Sequence, residues 1–282
     1  MTTEERETWL EWRRGGIGGS DVGAILGVNP YSTAWDVFAA KMGQDDFTGN
    51  AATERGNRLE PVILEWAAEH TGMRLNPGSQ YTGDPDTWMR ASTDGILVAM
   101  DGSAAYGLEA KSRKNRKAME IAALATELQC RWYMTVTGAD RWYLATFVLS
   151  SDEWLIETIE RDEAIEREMV RKMRAWWNKH IIGNTPPPLD ASRSAALWLM
   201  NAFPMHAKIR RNATPKEDDW MSRHVDLKSQ IEALTAERDG LGNQIREAIA
   251  SDYGIDTSNH SATWSRFDAG RLDKKQLLAD NP

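Results

Sequence analysis

The chain has 282 residues, 41% of them hydrophobic and 27% charged, with 21 Gly and 10 Pro. That length and balance give one generous domain, or a core domain with a smaller appendage, and exclude a disordered tail or a collagen-like repeat. No run approaches the roughly 20 apolar residues of a membrane-spanning helix, the lone Cys130 excludes an intrachain disulfide or a four-cysteine cluster, and the acidic start Met1-Thr2-Thr3-Glu4-Glu5 has no apolar signal segment, so a cytoplasmic protein is expected.

In chain order, an amphipathic helix over residues 4–12 leads into Arg13-Arg14-Gly15-Gly16-Ile17-Gly18-Gly19-Ser20-Asp21. The next helix carries Val22, Ile25 and Leu26, with Ser20 as its expected N-cap. Another helix begins after Ser32 and stops at Gly43, and residues 45–53 read as a loop. From 53 to 71 Leu59, Ile63, Trp66 and Ala67 keep helical spacing, and Pro61 predicts a kink or a first-turn position. The period then changes to that of strands, at 74–82, 87–92, 95–100 and 105–110, which read as a meander. A helix at 118–137, strands at 141–149 and 154–161 and a helix at 162–181 follow.

The stretch Gly183-Asn184-Thr185-Pro186-Pro187-Pro188 is the strongest linker and sets the expected boundary between a domain of residues 1–190 and a helical accessory region of residues 191–282. There, Trp220, His224, Leu227, Ile231, Leu234, Arg238, Leu241, Ile245 and Ala248 alternate spacings of four and three. That is the seam of a coiled coil or of a helical hairpin, and the polar His224 and Arg238 leave both open. A short strand at 261–268 and a short helix at 272–278 complete the reading.

A net charge of −8 counts against a phosphate partner, but its distribution matters more than its sum. Residues 111–117 hold five basic side chains in seven positions, among them Arg113, Lys114 and Arg116, a local footprint for an anion. Immediately before them, Glu109 and Lys111 share one face of a strand, and Asp94 ends another in Ser92-Thr93-Asp94-Gly95. Two carboxylates with the Ala110 carbonyl suit Mg²⁺, which keeps several waters, and a lysine beside them can activate a water for phosphodiester hydrolysis. A bare Glu-x-Lys occurs by chance about once in a chain this long. Its company in order is what raises it: Gly56-Asn57-Arg58-Leu59-Glu60 on a helix, Asp94, Glu109-Ala110-Lys111, then Gln129-Cys130-Arg131-Trp132-Tyr133 on the following helix. The thirteen tryptophans read as core, and the five histidines show no metal-ligand spacing.

This series resembles the RecB-type branch of the PD-(D/E)XK nucleases. The opening Trp9-x-x-x-Arg13 followed by Gly16-Ile17-Gly18-Gly19-Ser20-Asp21 resembles the YqaJ-like viral recombinases, relatives of the phage lambda exonuclease, over about residues 9–190. The resemblance implies an α/β, restriction-endonuclease-like core with a central mixed sheet flanked by helices, plus a helical C-terminal region. It implies a Mg²⁺-dependent exonuclease, with Mn²⁺ as a substitute, that digests one strand of linear double-stranded DNA from the 5′ end for a single-strand annealing protein. A homo-oligomeric ring, commonly a trimer, in a phage or prophage setting within the bacterial cytoplasm is implied as well. Carried over by position, Asp94, Glu109 and Ala110 are metal ligands, Lys111 is the catalytic lysine, and Glu60 and Gln129 are further site residues. Arg13 and Ser20 match the pocket for the terminal 5′ phosphate, and Asp94 follows Thr93 where the family pattern has proline. The competing expectations are an endonuclease or end-trimming nuclease on the same fold, and a non-catalytic DNA-end-binding scaffold.

Overall fold

The computed structural model describes residues 3–44, 49–83, 85–205 and 210–264. The chain divides into two units, Met1–Met205 and His206–Pro282. In the first, helices α1 (Thr3–Arg14), α2 (Gly19–Ile25), α3 (Ala34–Lys41) and α4 (Ala51–Thr71) precede the sheet strands. The cap of α2 is not Ser20: Gly18 takes that position, and Asp21 returns its carboxylate to the Gly18 N–H at 2.8 Å. Ser20, one residue into the helix, is free to face Arg13 instead. Pro61 lies inside α4, which runs on through it to Thr71.

The expected strand at 74–82 is two strands, β1 (Arg74–Pro77) and β2 (Gln80–Thr82), in different sheets. Gly78 breaks it, because the chain there passes so close to β3 (Arg90–Ser92) that a Cβ on Gly78 would lie 1.8 Å from the Thr93 carbonyl oxygen. β2 and β3 form a small antiparallel ribbon. The main sheet adds β4 (Gly95–Val98), β5 (Ala105–Arg113), β6 (Arg141–Val148) and β7 (Glu153–Glu160) in the order β1-β4-β5-β6-β7. Within the stretch expected as a meander the pairs β1–β4, β2–β3 and β4–β5 are antiparallel, whereas β5 and β6, beyond it, are parallel. Parallel neighbours need a long connection, and α5 (Arg116–Thr137) supplies it.

The two faces of β5 do different work. Leu108 and Ala110 pack with Ile63, Leu64 and Ala67 of α4 in one apolar cluster. Alternation turns Gly107, Glu109 and Lys111 to the other face, where Glu109 meets Gln129 of α5. A second cluster joins Val22, Trp132, Tyr133 and Trp142. Helix α6 (Glu163–Trp176) continues into a π-helical stretch, Trp177–Ile182, and α7 (Arg193–Ala202) follows the proline linker. The linker does not end the unit. Ser194 donates to Asp36 at 2.6 Å and Ala195 is buried with Trp35 and Phe38, so residues 191–205 go with the first unit rather than with the expected accessory region.

In the second unit the heptad seam lies on one continuous helix, α8 (Pro215–Ile249), capped by Thr214 and Glu217. The seam residues from Trp220 to Ile245 therefore make no hairpin with one another. A ribbon of β8 (Gly254–Asp256) and β9 (Ser261–Thr263) follows; residues 265–268 of the expected strand and the helix expected at 272–278 lie outside the described residues. Among the described residues no helix is long and apolar enough to cross a membrane.

Gly107 sits opposite Trp142 on β6, and a Cβ there would lie 2.2 Å from the indole ring. Gly107→Ala should therefore force Trp142 out of place and cost about 1–3 kcal/mol by overpacking, read as a lower urea midpoint.

Candidate active site

Asp94 stands at the turn from β3 into β4, and the chain before it is tied down by Thr93. The Thr93 N–H donates to the Ser79 carbonyl at 3.1 Å and its hydroxyl accepts from the Ser79 N–H at 3.0 Å. A proline at 93 could not make the first of these bonds. So anchored, Asp94 Oδ2 accepts from the Ala110 N–H at 2.9 Å, at the point where β4 has not yet begun to pair with β5. The N–H and C=O of one strand residue point to the same side, so the Ala110 carbonyl shares this edge with Asp94.

Glu109 is 1% exposed. Its Oε1 accepts from Lys111 Nζ and from Gln129 Nε2, and Gln129 also donates to the Tyr133 hydroxyl at 3.1 Å. Among the described residues nothing donates to Glu109 Oε2, although that atom is buried. Burial, then the charge of Asp94, pushes the Glu109 carboxyl up to about 8 against the pull of Lys111. Burial alone would depress Lys111, but Glu109 and Asp94 outweigh it and hold the ammonium above its ordinary value. Glu60, reaching in from α4, is raised by burial and by Asp94.

These groups line a cavity of about 200 Å³ that brings together Glu60, Asp94, Glu109, Ala110, Lys111 and Gln129 with Arg13 and Ser20. Arg13 Nη2 donates to Ser20 Oγ at 2.8 Å, and its guanidinium lies 4.9 Å over the Trp9 ring. The glycine-rich segment makes this convergence possible by close packing. Ile17 pairs with Met89 as a parallel bridge, its N–H donating to the Trp88 carbonyl at 2.7 Å while its carbonyl accepts from the Arg90 N–H at 2.8 Å. Residues 13 to 20 are thereby stitched to the strand that leads to Asp94.

Not all the expected residues converge. Arg113 is turned onto Thr126 of α5 at 3.0 Å, Arg116 is held bidentately by Glu153 at 2.8 and 2.5 Å, and Lys114 is exposed; none of the three lines the cavity. Conversely, Trp9, Trp12, Arg90 and Ser92 line it without having been singled out for it. Arg90 lies 5.1 Å over Trp12, its Nη atoms make long bonds of 3.3 and 3.4 Å, and its Nε is buried with no acceptor among the described residues. A signal for it existed in the alternation Arg90, Ser92, Asp94, three polar residues at strand spacing.

Among the described residues no three His, Cys, Asp or Glu side chains cluster tightly enough to cage a metal by themselves. Mg²⁺ does not require that, since it is held by one or two carboxylates, waters and substrate phosphate. The hard oxygen donors of Asp94, Glu109 and Ala110 suit it, and the undonated Oε2 of Glu109 offers a lone pair that no protein group uses.

Residues 8–140 match the family model described as the YqaJ-like viral recombinase domain. This stretch of the chain is similar to that domain. It contains every residue that lines the cavity, from Trp9 to Tyr133. The YqaJ protein of Bacillus subtilis (strain 168) is 25% identical over 289 aligned positions, covering 98% of this chain and 88% of that one. Among solved structures, the alkaline exonuclease LHK-Exo from Laribacter hongkongensis superposes with a TM-score of 0.51 at 18% identity, over 70% of this chain and 98% of its own. A phage-related exonuclease from Haemophilus somnus 129PT gives 0.46 at 15% identity, over 60% and 96%. The likeness to LHK-Exo is one of fold, and the mixed α/β core expected from the sequence is the one observed.

Asp94→Asn keeps an acceptor for the Ala110 N–H but removes the like charge beside Glu109. It should raise the melting temperature of the protein by about 2–4 °C, equivalent to about 1 kcal/mol. Thermal melts after EDTA treatment read the effect.

Proposed function

We propose that the protein is a Mg²⁺-dependent deoxyribonuclease that degrades one strand of linear duplex DNA from its 5′ end, leaving a 3′ overhang for a single-strand annealing partner in recombination. The observation that carries this reading is the meeting of two groups of residues in one cavity: the acidic pair with Lys111, and Arg13 with Ser20. The first suits hydrolysis of a phosphodiester, and the second suits a phosphate to be held rather than cut.

In this reading Asp94, Glu109 and the Ala110 carbonyl hold Mg²⁺, with Mn²⁺ able to substitute. When bound, the cation would supply positive charge at the scissile phosphate and lower the pKa of the attacking water. The Lys111 ammonium donates a hydrogen bond that orients that water, and Glu109 holds Lys111 in place. Gln129 fixes the rotamer of Glu109 through one amide N–H, while the other goes to the Tyr133 hydroxyl. Glu60 adds a further carboxylate to the cavity lining. Arg13 and Ser20 hold the terminal phosphate so that the next ester bond lies at the acidic pair. An endonuclease has no use for a terminal-phosphate pocket beside its cutting site, and a scaffold has no use for a buried carboxylate with an undonated oxygen.

Lys111→Ala, Asp94→Ala and Glu109→Ala should each reduce Mg²⁺-dependent digestion of linear duplex by about 10³-fold or more, and double variants should lose little beyond that because the residues act as a unit. Release of acid-soluble nucleotides measures this, and near wild-type rates for Lys111→Ala would overturn the assignment. Closed circular duplex should resist the enzyme, since digestion begins at an end. Duplex with 5′ phosphates should be digested faster than duplex with 5′ hydroxyls, and Arg13→Ala should remove most of the difference, because a held terminal phosphate acts by orientation. Release of a 3′-end label before a 5′-end label would show the polarity to be wrong.

A further inference from the structure

Beneath Arg13 lies a buried ion pair that the reaction itself does not use. The side chain of Lys41, the last residue of α3, is 3% exposed. Its Nζ lies 2.6 Å from Asp21 Oδ2 and donates to the Arg13 carbonyl at 2.9 Å. Asp21, itself buried, also accepts from the Gly18 N–H at 2.8 Å and from Arg13 Nη2 at 3.2 Å. Burial pushes Asp21 up, but Lys41 and Arg13 with the Gly18 N–H outweigh it and hold the carboxyl below its ordinary value. The carboxylate thus stands ionised between two cations, and the shorter contact goes to the one that cannot reach solvent.

That asymmetry matters for Arg13. Both of its hydrogen bonds, to Ser20 and to Asp21, leave from Nη2, and no described residue accepts from its Nε or Nη1. Arg13 therefore keeps its free N–H donors for a ligand, and its field at the pocket is offset less as long as another cation pairs with Asp21. We propose that Lys41 is a positioning residue for end recognition: it is the counter-ion of Asp21, and by neutralising that carboxylate it leaves the Arg13 guanidinium free to bind the terminal phosphate. The inference rests on the terminal-phosphate reading given above. Without Lys41 the nearest cation to Asp21 is Arg13, and the two would close on each other, because a buried charge left unpaired is costly. The guanidinium would then be both displaced and neutralised, and a phosphate dianion would meet a pocket with one charge fewer. The bond from Lys41 to the Arg13 carbonyl adds a mechanical role, since it fixes the end of α1 from which the guanidinium projects.

The experiment compares the full-length wild type with Lys41→Met, which keeps the length of the side chain without its charge, and with the double variant Asp21→Asn, Lys41→Met. The readout is the ratio of kcat/KM on duplex with 5′ phosphate to that on duplex with 5′ hydroxyl. Lys41→Met should lower the ratio about tenfold, mainly through KM for the phosphorylated end, as expected for a misplaced positioning group. The double variant should recover most of the ratio, because Arg13 no longer has a carboxylate to close on. A purely structural strut would give no such recovery, since the strut is equally absent from both variants. A wild-type ratio in Lys41→Met, or a double variant no better than the single one, overturns the inference alone. A wild type with no preference overturns the terminal-phosphate reading and the inference with it. If circular dichroism shows Lys41→Met to be unfolded, the double variant decides alone, with a retained ratio supporting the inference and a lost one overturning it.

Discussion

A carboxylate with 1% exposure in the middle of a sheet is the constraint around which the rest of the first unit is arranged. Burying an ionised group unpaired costs several kcal/mol, on the order of a domain's whole net stability. Glu109 is tolerated because two elements packed near it compensate part of its charge. β5 brings Lys111 two residues on, and α5 brings the Gln129 amide. The compensation is incomplete on one oxygen, and the strand turn at Asp94 adds a second negative charge beside it. A fold selected for stability alone would fill this position with Leu or Val, as it does at Leu108 one residue earlier. In the proposed reading, that residual imbalance is what a bound cation would meet.

The crossover topology follows from the same requirement. Glu109 can face α5 only because β5 and β6 are parallel and the helix that joins them lies across the sheet on that side. The opposite face of the strand is closed by α4, whose Ile63, Leu64 and Ala67 pack on Leu108 and Ala110. From the same helix Glu60 reaches the cavity. A meander of hairpins would place consecutive strands side by side and leave no helix to supply Gln129. The chemistry and the topology are therefore read from one strand, apolar on one face and charged on the other.

Much of this was legible in the sequence because it is local. The strand positions of Glu109 and Lys111, the helix carrying Gln129 and the helix carrying Glu60 depend on period and spacing, which single segments display. What was not legible depends on contacts between segments. The break at Gly78 exists because the Thr93 carbonyl passes within van der Waals distance, and nothing near residue 78 in sequence announces that neighbour. Ser20 reads as an N-cap from composition, yet the cap falls on Gly18 because Asp21 closes back on the Gly18 N–H and frees the serine for Arg13. Lys41 reads as an ordinary C-terminal helix lysine, and its burial against Asp21 depends on how α3 packs on the end of α1. The glycines of residues 15–19 suggest flexibility in isolation, whereas the bridge from Ile17 to Met89 makes the segment a packed strand neighbour.

The charge economy of the chain bears on how such a site engages a polyanion with a net charge of −8. The basic run that stood out in the sequence is largely spent within the fold: Glu153 holds Arg116, and Thr126 holds Arg113. The cations that line the cavity are fewer, but Arg13 and Arg90 are each stacked on a tryptophan and keep N–H groups without acceptors among the described residues. Arginine stacked on an aromatic face gives up less rotamer freedom on binding than a free lysine does, and its planar fork matches a phosphate. Recognition by a few ordered guanidiniums differs from recognition by a diffuse basic surface. It releases fewer counterions and therefore depends less steeply on salt, and it discriminates where the phosphate sits instead of how many phosphates there are. In the proposed reading, an acidic protein acting at an end, where one terminal phosphate differs from all the others, is served by the second kind of selectivity more than by the first.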